Sequence, residues 1–383
     1  MSKLKELIEI YCPDGVEYKP INETTDMKRG TSLTKQNAVR GDIPVVSGGR
    51  EPAFYHNKAN REGAVVTVAG SGAGAGYVQY FETPIFANDC FTLQGKQGVS
   101  TKYIYYCLSN MQERIYATKK GGGVPHVHIS DIENVEIPVP PLPVQEEIVR
   151  ILDKFTELEE ELEEELELRK KQYEYYRDKM LSLSDYDGEV EEIHLKDIGK
   201  VCMCKRIMKA QTNSDFENGV PFFKIGTFGK EPDCCISKDL FEDYKNRFSY
   251  PKKGNVLISA AGTIGRTVVF DGEPAYFQDS NIVWIDNDNS KVLDAYLNYV
   301  YQTNPWRVSD GGTISRLYNG NIEETKIVIP KNLDEQKRII DLLDKFSTLT
   351  TDISEGLPAE IKMRRQQYEY YRDKLLDFKR ISE

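Results

Sequence analysis

Polar and basic side chains cluster in short loops between apolar segments of the chain. The segment Lys28 to Lys35 offers three cationic groups and three hydroxyls within eight residues. Cationic groups bind phosphates, and hydroxyls, amides and guanidinium groups can also bond to base edges. These loops therefore predict contacts with double-stranded DNA. The candidate DNA-binding residues of the first half are Lys28, Arg29, Thr31, Ser32, Lys35, Arg50, His56, Asn57, Lys58, Arg61, Lys119, Lys120, His126 and His128.

Loops of the same kind recur in the second half of the chain. Charge runs are most often only solvated surface, so a single loop carries little weight. Their recurrence in matching places favours a binding role, and their different sequences indicate two readers of different DNA words. The candidates of the second half are Lys205, Arg206, Lys209, Gln211, Arg266, Arg307 and Arg316.

A net charge of −11 opposes DNA binding, which depends on Lys and Arg. However, eight glutamates lie between Glu157 and Glu167, and without them the net charge would be −3. The acidic balance therefore belongs to one segment, which we expect to avoid DNA.

Catalytic patterns are weak in this sequence. Asp233, Asp243 and Lys245 formally match the loose carboxylate and lysine pattern of Mg²⁺-dependent nucleases, but the first half has no equivalent. The glycine-rich stretch 70–76 lacks dinucleotide-binding spacing and predicts a tight turn. The seven cysteines include no CxxC pair. We expect no catalytic residue, no metal site and no cofactor.

Two alternatives of other classes stay open at this point. A standalone DNA nuclease would use the Asp233, Asp243 and Lys245 pattern, and Mg²⁺-dependent cleavage by the purified chain would reveal it. A scaffold that does not read sequence would instead bind DNA without sequence preference.

The chain is a tandem repeat. The block QYEYYRDK recurs almost two hundred positions later, and shorter blocks recur in the same order. Asp89 falls at the same offset in its block as Asp279 does in the second. The matching segments are 65–80 with 255–270, 132–140 with 322–330, Gln145 with Gln336, 152–155 with 343–346, and 172–181 with 367–376.

A long helix follows each globular half. An apolar stripe that includes Ile148, Phe155 and Leu162 predicts a helix from Gln145 to Leu183, which is too long to stand without a partner. The second copy begins near Glu335, and Gly356 and Pro358 should break or kink it. We expect the two helices to pair in antiparallel orientation.

Each globular half is expected to mix α and β structure. Strands are predicted at 63–68, 135–139 and 256–259, and short tyrosine-rich helices at 102–108 and 293–301. The predicted fold class is therefore α+β, with two tandem mixed α/β domains separated by long helices that pair as an antiparallel coiled coil with pseudo-twofold symmetry. The expected boundaries are 1–140 and 187–330 for the domains, and 141–186 and 331–383 for the helical regions.

The chain resembles, over essentially its whole length, the specificity subunit of type I restriction-modification systems. The resemblance lies in IPVPPLPVQEEIVRILDKF ending at Phe155, IPKNLDEQKRIIDLLDKF ending at Phe346, the paired QYEYYRDK blocks, and first-half strings such as VAGSGAGAGYV and FANDC. It implies two target-recognition domains and two helical spacer regions. Each domain would read half of a bipartite DNA target.

The resemblance also implies partners. Two methyltransferase subunits and restriction/translocase subunits would dock on this non-catalytic chain, and the methyltransferases would methylate adenine with S-adenosylmethionine that this chain does not bind. The sequence has no 18-residue apolar run, so we expect no membrane partner and a cytoplasmic location.

Overall fold

The chain folds into two compact units, each with its own core. A computed structural model describes residues 2–121, 123–306, 316–351 and 356–381. Unit 1 comprises Met1–Glu164 with Glu360–Glu383, and unit 2 comprises Glu165–Ala359. None of the described helices is long and apolar enough to cross a membrane.

Unit 1 combines short strands with helices on either side of them in the sequence. Four strands form an antiparallel sheet in the order β2-β8-β5-β6, three form the order β4-β3-β7, and β1 pairs with β9. The elements are α1 Ser2–Tyr11, β1 Tyr18–Pro20, α2 Ile21–Thr24, β2 Thr25–Arg29, β3 Ile43–Val46, β4 Phe54–His56, β5 Val65–Ala69, β6 Val78–Phe81, β7 Phe86–Ala87, β8 Cys90–Gly95, α3 Thr101–Asn110, α4 Gln112–Tyr116, α5 Ile129–Ile132, β9 Glu136–Pro138 and the first part of α6 Leu142–Ser182.

Unit 2 repeats this plan. Its sheets have the orders β11-β18-β15-β16 and β12-β14-β13-β17, and β10 pairs with β19. The elements are β10 Val190–His194, β11 Gly199–Cys202, β12 Thr212–Asn213, β13 Gly219–Phe223, β14 Cys235–Ser237, α7 Lys238–Arg247, β15 Val256–Ser259, β16 Thr267–Val269, β17 Tyr276–Phe277, β18 Ile282–Asn287, α8 Asp294–Gln302, α9 Asn319–Glu323, β19 Lys326–Pro330, α10 Leu333–Thr351 and α11 Gly356–Leu376, whose last part belongs to unit 1.

One inner strand of the antiparallel four-stranded sheet is buried along its whole length in each unit. All five residues of β5 and all four of β15 are buried, which suits their β-branched and leucine side chains. The tyrosine-rich helices α3 and α8 belong to the same cores as these strands and bury Tyr103, Tyr106 and Tyr296. Both tyrosine-rich helices and the three predicted strands are confirmed, with shifts of one or two residues at their ends.

The long helices also follow the prediction. Helix α6 begins at Leu142, slightly before the predicted start, because Pro143 is tolerated within the first turn. The predicted interruption of the second helix is confirmed at Gly356, where α11 begins, because its φ of +76° lies outside the helical region and suits glycine.

The long helices pair within each unit. In unit 1, Phe155 of α6 stacks on Tyr371 of α11 at 5.5 Å between ring centroids, and Arg365 donates to Glu159 at 2.7 Å. In unit 2, Tyr176 of α6 stacks on Phe346 of α10 at 6.1 Å. In unit 1, residue numbers along α11 decrease as those along α6 increase, which confirms the predicted antiparallel pairing.

Candidate nucleic-acid interface

A buried glutamine joins each spacer helix to its globular domain. Gln145, fully buried, donates through Nε2 to the carbonyl oxygens of Gly98 at 3.1 Å and Pro140 at 2.6 Å. Its Oε1 accepts from the backbone N–H of Ser100 at 2.9 Å. The amide therefore satisfies three backbone groups and fixes the start of α6 against the loop before α3.

Gln336 makes the same three bonds in unit 2. Its Nε2 donates to the carbonyls of Lys291 and Pro330 at 3.0 and 2.8 Å, and its Oε1 accepts from Leu293 N at 2.9 Å. A second connection also recurs: the Tyr106 hydroxyl donates to Asp153 at 2.5 Å, as Tyr299 does to Asp344. The two domains are thus mounted on their helices in the same way.

The basic loop of unit 1 is pinned to the sheet by its backbone. Gly30 N donates to Cys90 O at 2.8 Å, and Leu33 N donates to the Asn88 side chain at 2.8 Å. A side chain at Gly30 would come within 2.0 Å of the Asn88 carbonyl oxygen, so only glycine fits there. The predicted residues of this loop are all exposed, namely Lys28, Arg29, Thr31, Ser32 and Lys35.

Arg61 and His56 make internal bonds behind that loop. The guanidinium of Arg61 donates to the Thr92 hydroxyl at 2.7 Å and to the carbonyls of Asn60 and Arg29 at 2.7 and 2.6 Å. His56 is buried, and its Nδ1 lies 3.1 Å from Val39 N. Their neighbours Asn57 and Lys58 are exposed.

A second group of candidates in unit 1 surrounds the glycine-rich turn. This turn forms as predicted, with φ of +82° at Gly72, and its Gly70 carbonyl accepts from Val127 N at 3.0 Å. Around it, cations lie over aromatic rings and two imidazoles stack. These contacts are Arg50 over Tyr77 at 5.0 Å, Lys119 over Tyr116 at 4.0 Å, His126 on His128 at 6.0 Å, and an ion pair between Lys120 and Asp131.

Unit 2 has a cleft in the region of its first basic loop. The cleft has a volume of about 450 Å³, and its walls include four cationic side chains, Arg206, Lys209, Lys224 and Arg316. The sequence predicts three of them. It misses Lys224 and the amides Gln278 and Asn281, because these are single residues at strand ends with no distinctive spacing.

Charges within the cleft are partly paired. Arg206 Nε donates to Asp279 Oδ2 at 2.9 Å, and Arg316 Nη2 donates to Ser280 O at 2.8 Å. Lys224 lies 2.9 Å from Asp233, which lowers the pKa of that carboxyl and raises the pKa of the lysine.

The other predicted residues of unit 2 lie outside this cleft or are held by neighbours. Arg266 donates to Phe228 O at 3.0 Å, Lys205 lies over the Phe248 ring at 5.1 Å, and Gln211 accepts from Met208 N at 2.8 Å. Arg307 lies outside the described residues.

Strand register shows which loop residues correspond in the two units. Gly70 N donates to Asp89 O at 3.0 Å, and Ala260 N, at the matching place of the repeat, donates to Asn281 O at 2.8 Å. Counted back from β8 and β18, Asp89 corresponds to Asn281. Counted forward from β7 and β17, it corresponds to Asp279 as the sequence offset indicates, since Asn88 N donates to Val46 O and Gln278 N donates to Phe223 O. Unit 2 therefore has two more residues than unit 1 in this turn, which joins β17 Tyr276–Phe277 to β18 Ile282–Asn287.

The same register aligns the recognition loops. Thr92 lies three residues after Asp89 and pairs with Lys28, and Trp284 lies three residues after Asn281 and pairs with Cys202. Lys28 and Cys202 are therefore equivalent, and four residues after them Ser32 of unit 1 corresponds to Arg206 of unit 2. Similarly, His126 corresponds to Arg316, because the residues that follow them donate to Gly70 O and Ala260 O.

The residues of the nuclease pattern do not form a joint site. Asp243 pairs with Arg247 at 2.9 Å on its own helix, Asp233 pairs with Lys224, and Lys245 lies over the rings of Phe241 and Tyr250. Among the described residues, no group of three or more His, Cys, Asp or Glu could hold a metal ion.

Two domains with one scaffold and different loops define a two-part recognition protein. A family model described as "Type I restriction modification DNA specificity domain" matches residues 13–168 and 187–363. The chain belongs to this family. This membership supports the specificity-subunit interpretation over the nuclease and the scaffold.

Individual relatives agree. The chain is 44% identical over 385 residues to a putative type I restriction enzyme specificity subunit of Haemophilus influenzae, covering 95% of this chain and 96% of the relative. It is 35% identical over 429 residues to the EcoR124I/EcoR124II specificity subunit of Escherichia coli, covering 99% and 98%.

Solved structures share the fold. A type I restriction-modification S subunit from M. genitalium matches with a TM-score of 0.56 and 20% identity, covering 94% of this chain and 96% of that one. A chain from a structure of type I restriction-modification complex assembly and conformational transition matches with a TM-score of 0.60 and 18% identity, covering 95% and 98%.

Proposed function

We propose that this chain reads a bipartite DNA target for a type I restriction-modification complex. Residues 1–140 would read one half-site and residues 187–330 the other, and the spacer regions 141–186 and 331–383 would set the gap between them. The observation that carries the proposal is that each domain is mounted in the same way, through Gln145 and Gln336, whereas the basic loops of the two domains differ in sequence. A fixed scaffold with variable loops suits two different readings on one chain.

The differences between the loops are chemical. At corresponding positions unit 1 has Ser32 and His126, whereas unit 2 has Arg206 and Arg316. A hydroxyl or imidazole and a guanidinium present different donors and acceptors to base edges, so the two domains would prefer different bases.

Within unit 1, exposure divides the candidates into two roles. The exposed Lys28, Arg29, Thr31, Ser32 and Lys35, with Asn57 and Lys58, are available to DNA. Arg61 and His56 would act from behind, because the bonds of Arg61 to Arg29 O and Thr92 brace the strand that ends in Arg29.

The helices supply surfaces for the partner subunits. Tyr175 and Tyr370 occupy the same place in the two QYEYYRDK blocks, and their exposed fractions are 63% and 60%. Two equivalent aromatic surfaces fit two copies of one partner, which supports docking of two methyltransferase subunits, with restriction/translocase subunits joining them. The complex would act in the cytoplasm, and the methyl donor would be bound by the methyltransferases.

Methylome sequencing tests the proposal. A host that expresses this chain with its methyltransferase should acquire adenine methylation at one bipartite motif, two short words separated by a fixed gap. Methylation without a motif would instead favour a scaffold. Mg²⁺-dependent cleavage by the purified chain alone would favour the nuclease.

A further inference from the structure

Arg206 forms an ion pair with Asp279 at the cleft of unit 2 and is the more exposed of the two residues. Its side chain is 66% exposed, whereas that of Asp279 is 15% exposed. The contact uses Nε of the guanidinium at 2.9 Å, and no hydrogen bond among the described residues uses Nη1 or Nη2 of Arg206. The pair therefore fixes one edge of the guanidinium and leaves its two terminal amino groups for another acceptor.

The turn that carries Asp279 is itself held in place. Ser280 adopts a φ of +58°, which is unusual for a residue with a side chain. Asn281 N donates to Asp279 O at 2.7 Å, and Arg316 Nη2 donates to Ser280 O at 2.8 Å from a different segment. Strained backbone held by its surroundings is frequent at functional sites. Here it places a carboxylate where it orients Arg206.

Charge indicates which part of DNA such an arginine would contact. The Asp279 carboxylate largely neutralises Arg206 and would repel a phosphate that approached the pair. A neutral base edge meets no such repulsion. Two parallel N–H groups match the O6 and N7 acceptors of guanine in the major groove, and no other base presents this pair of acceptors there.

We propose that Arg206 reads a guanine in the half-site of unit 2, with Asp279 as its positioning residue. This inference rests on the proposed function of the chain. Lys209 lines the same cleft and serves as the comparison, since we expect it to bind phosphate. The corresponding residue of unit 1 is Ser32, so this contact belongs to unit 2 alone.

The proposal is tested by measuring how the full chain, co-purified with its methyltransferase, binds duplexes that contain modified bases. Each guanine of the methylated motif is replaced in turn by 7-deazaguanine, which lacks the N7 acceptor, and by inosine, which lacks only the minor-groove amino group. For one guanine, 7-deazaguanine should weaken binding by about 5- to 150-fold, and inosine should leave it unchanged. In Arg206→Gln this one penalty should disappear while the penalties at other guanines persist.

Two variants separate reading from charge and from positioning. Lys209→Gln removes a charge from the same cleft and should retain the guanine penalty while weakening the binding of all duplexes alike. Asp279→Asn should shrink the guanine penalty and strengthen binding to a scrambled duplex, since a negative charge is lost; an unchanged penalty would show that Asp279 does not position Arg206. Thermal unfolding of each variant confirms that it is folded.

The outcomes also distinguish this inference from the proposed function. If Arg206→Gln retains every guanine penalty, or weakens all duplexes equally and lowers the salt slope by about 1, the arginine contacts phosphate and the inference is wrong. A motif without guanine would overturn it as well. If the unmodified protein does not prefer its motif over a scrambled duplex, the proposed function itself fails.

Discussion

Three cations of the unit 1 loop, Lys28, Arg29 and Lys35, are exposed on a backbone that the sheet holds rigidly. Their joint replacement by alanine should reduce DNA affinity. If they contact phosphates, the salt slope should fall by about 1 per charge with the same base preference. If one contacts a base, discrimination at one position should fall by about 1 to 3 kcal/mol. Binding titrations at several salt concentrations measure both effects, and unchanged affinity with unchanged preference would contradict the assignment.

Glu147 is a residue whose charge stabilises unit 1. Its carboxylate, 2% exposed, accepts from Arg150 at 2.6 Å and from Lys3 at 2.9 Å. Hydrogen bonding from Arg150 and then Lys3 lowers the pKa of Glu147 to about 2, despite the opposing effect of burial. Because this pKa is lowered on folding, the stabilisation is present above the unfolded value of about 4.3 and is lost as pH falls toward 2.

Glu147→Gln should therefore lower the free energy of unfolding by about 1 kcal/mol at pH 7, since both cations are largely exposed. The difference from the unmodified protein should shrink between pH 4 and pH 2. Urea unfolding at three pH values measures it. Glu146→Gln, at an exposed neighbouring position, is the control; an equal pH-dependent loss there would show that the ion pairs of Glu147 are not responsible.

Individual residues set the limit of what the sequence predicts. The sequence places Arg61 and His56 with the DNA-binding loops, but both make bonds to partners that are distant along the chain, such as Thr92 and Val39. No local pattern reveals such partners. Conversely, Lys224, Gln278 and Asn281 join the cleft only because separate strands end beside one another.

The elements themselves are largely predictable from periodicity and repetition. The apolar stripe of α6 predicts its length to within a few residues, and the duplicated blocks predict that β9 and β19 hold equivalent places. Helix α7 is different: unit 2 inserts it after β14, whereas unit 1 goes from β4 to β5 through the loop 57–64. The repeat could not predict it, because it has no counterpart to compare.

The start of α11 depends on one glycine. Gly356 has a φ of +76°, and a side chain there would lie 2.8 Å from Leu349 O and 2.9 Å from Thr348 O. Gly356→Ala should therefore destabilise unit 2 by about 1 to 2 kcal/mol. Gly320→Ala is a matched control, because nothing lies within 4 Å of a side chain at that position. Denaturant unfolding compares the two, and an equal, small effect would show that the backbone at Gly356 relaxes without cost.

At the scale of the whole molecule, the division into two units predicts independent reading. Exchanging residues 187–320 for the equivalent segment of a relative should change one half of the methylated motif and leave the other half intact. The bond of Gln336 to Pro330 O is retained in this exchange, whereas the new domain must supply a carbonyl in place of Lys291 O. Methylome sequencing decides, and a change in both half-sites would mean that the domains do not read separately.

The length of the spacer helices is expected to set the gap between the half-sites, since α6 and α11 each contribute residues to both units. Inserting four residues between Glu164 and Glu165, and four between Ala359 and Glu360, lengthens both helices where the units divide and leaves the packing inside each unit intact. Four residues add about 6 Å and a rotation of about 40°. At 3.4 Å per base pair, we expect the gap between half-sites to grow by about one or two base pairs with both words unchanged. An insertion in α6 alone should strain the helix pairing and lower stability, unless the break at Gly356 absorbs the extra turn. Methylome sequencing of the doubly lengthened chain measures the gap directly, and a motif with its original gap would show that these helices do not set the spacing.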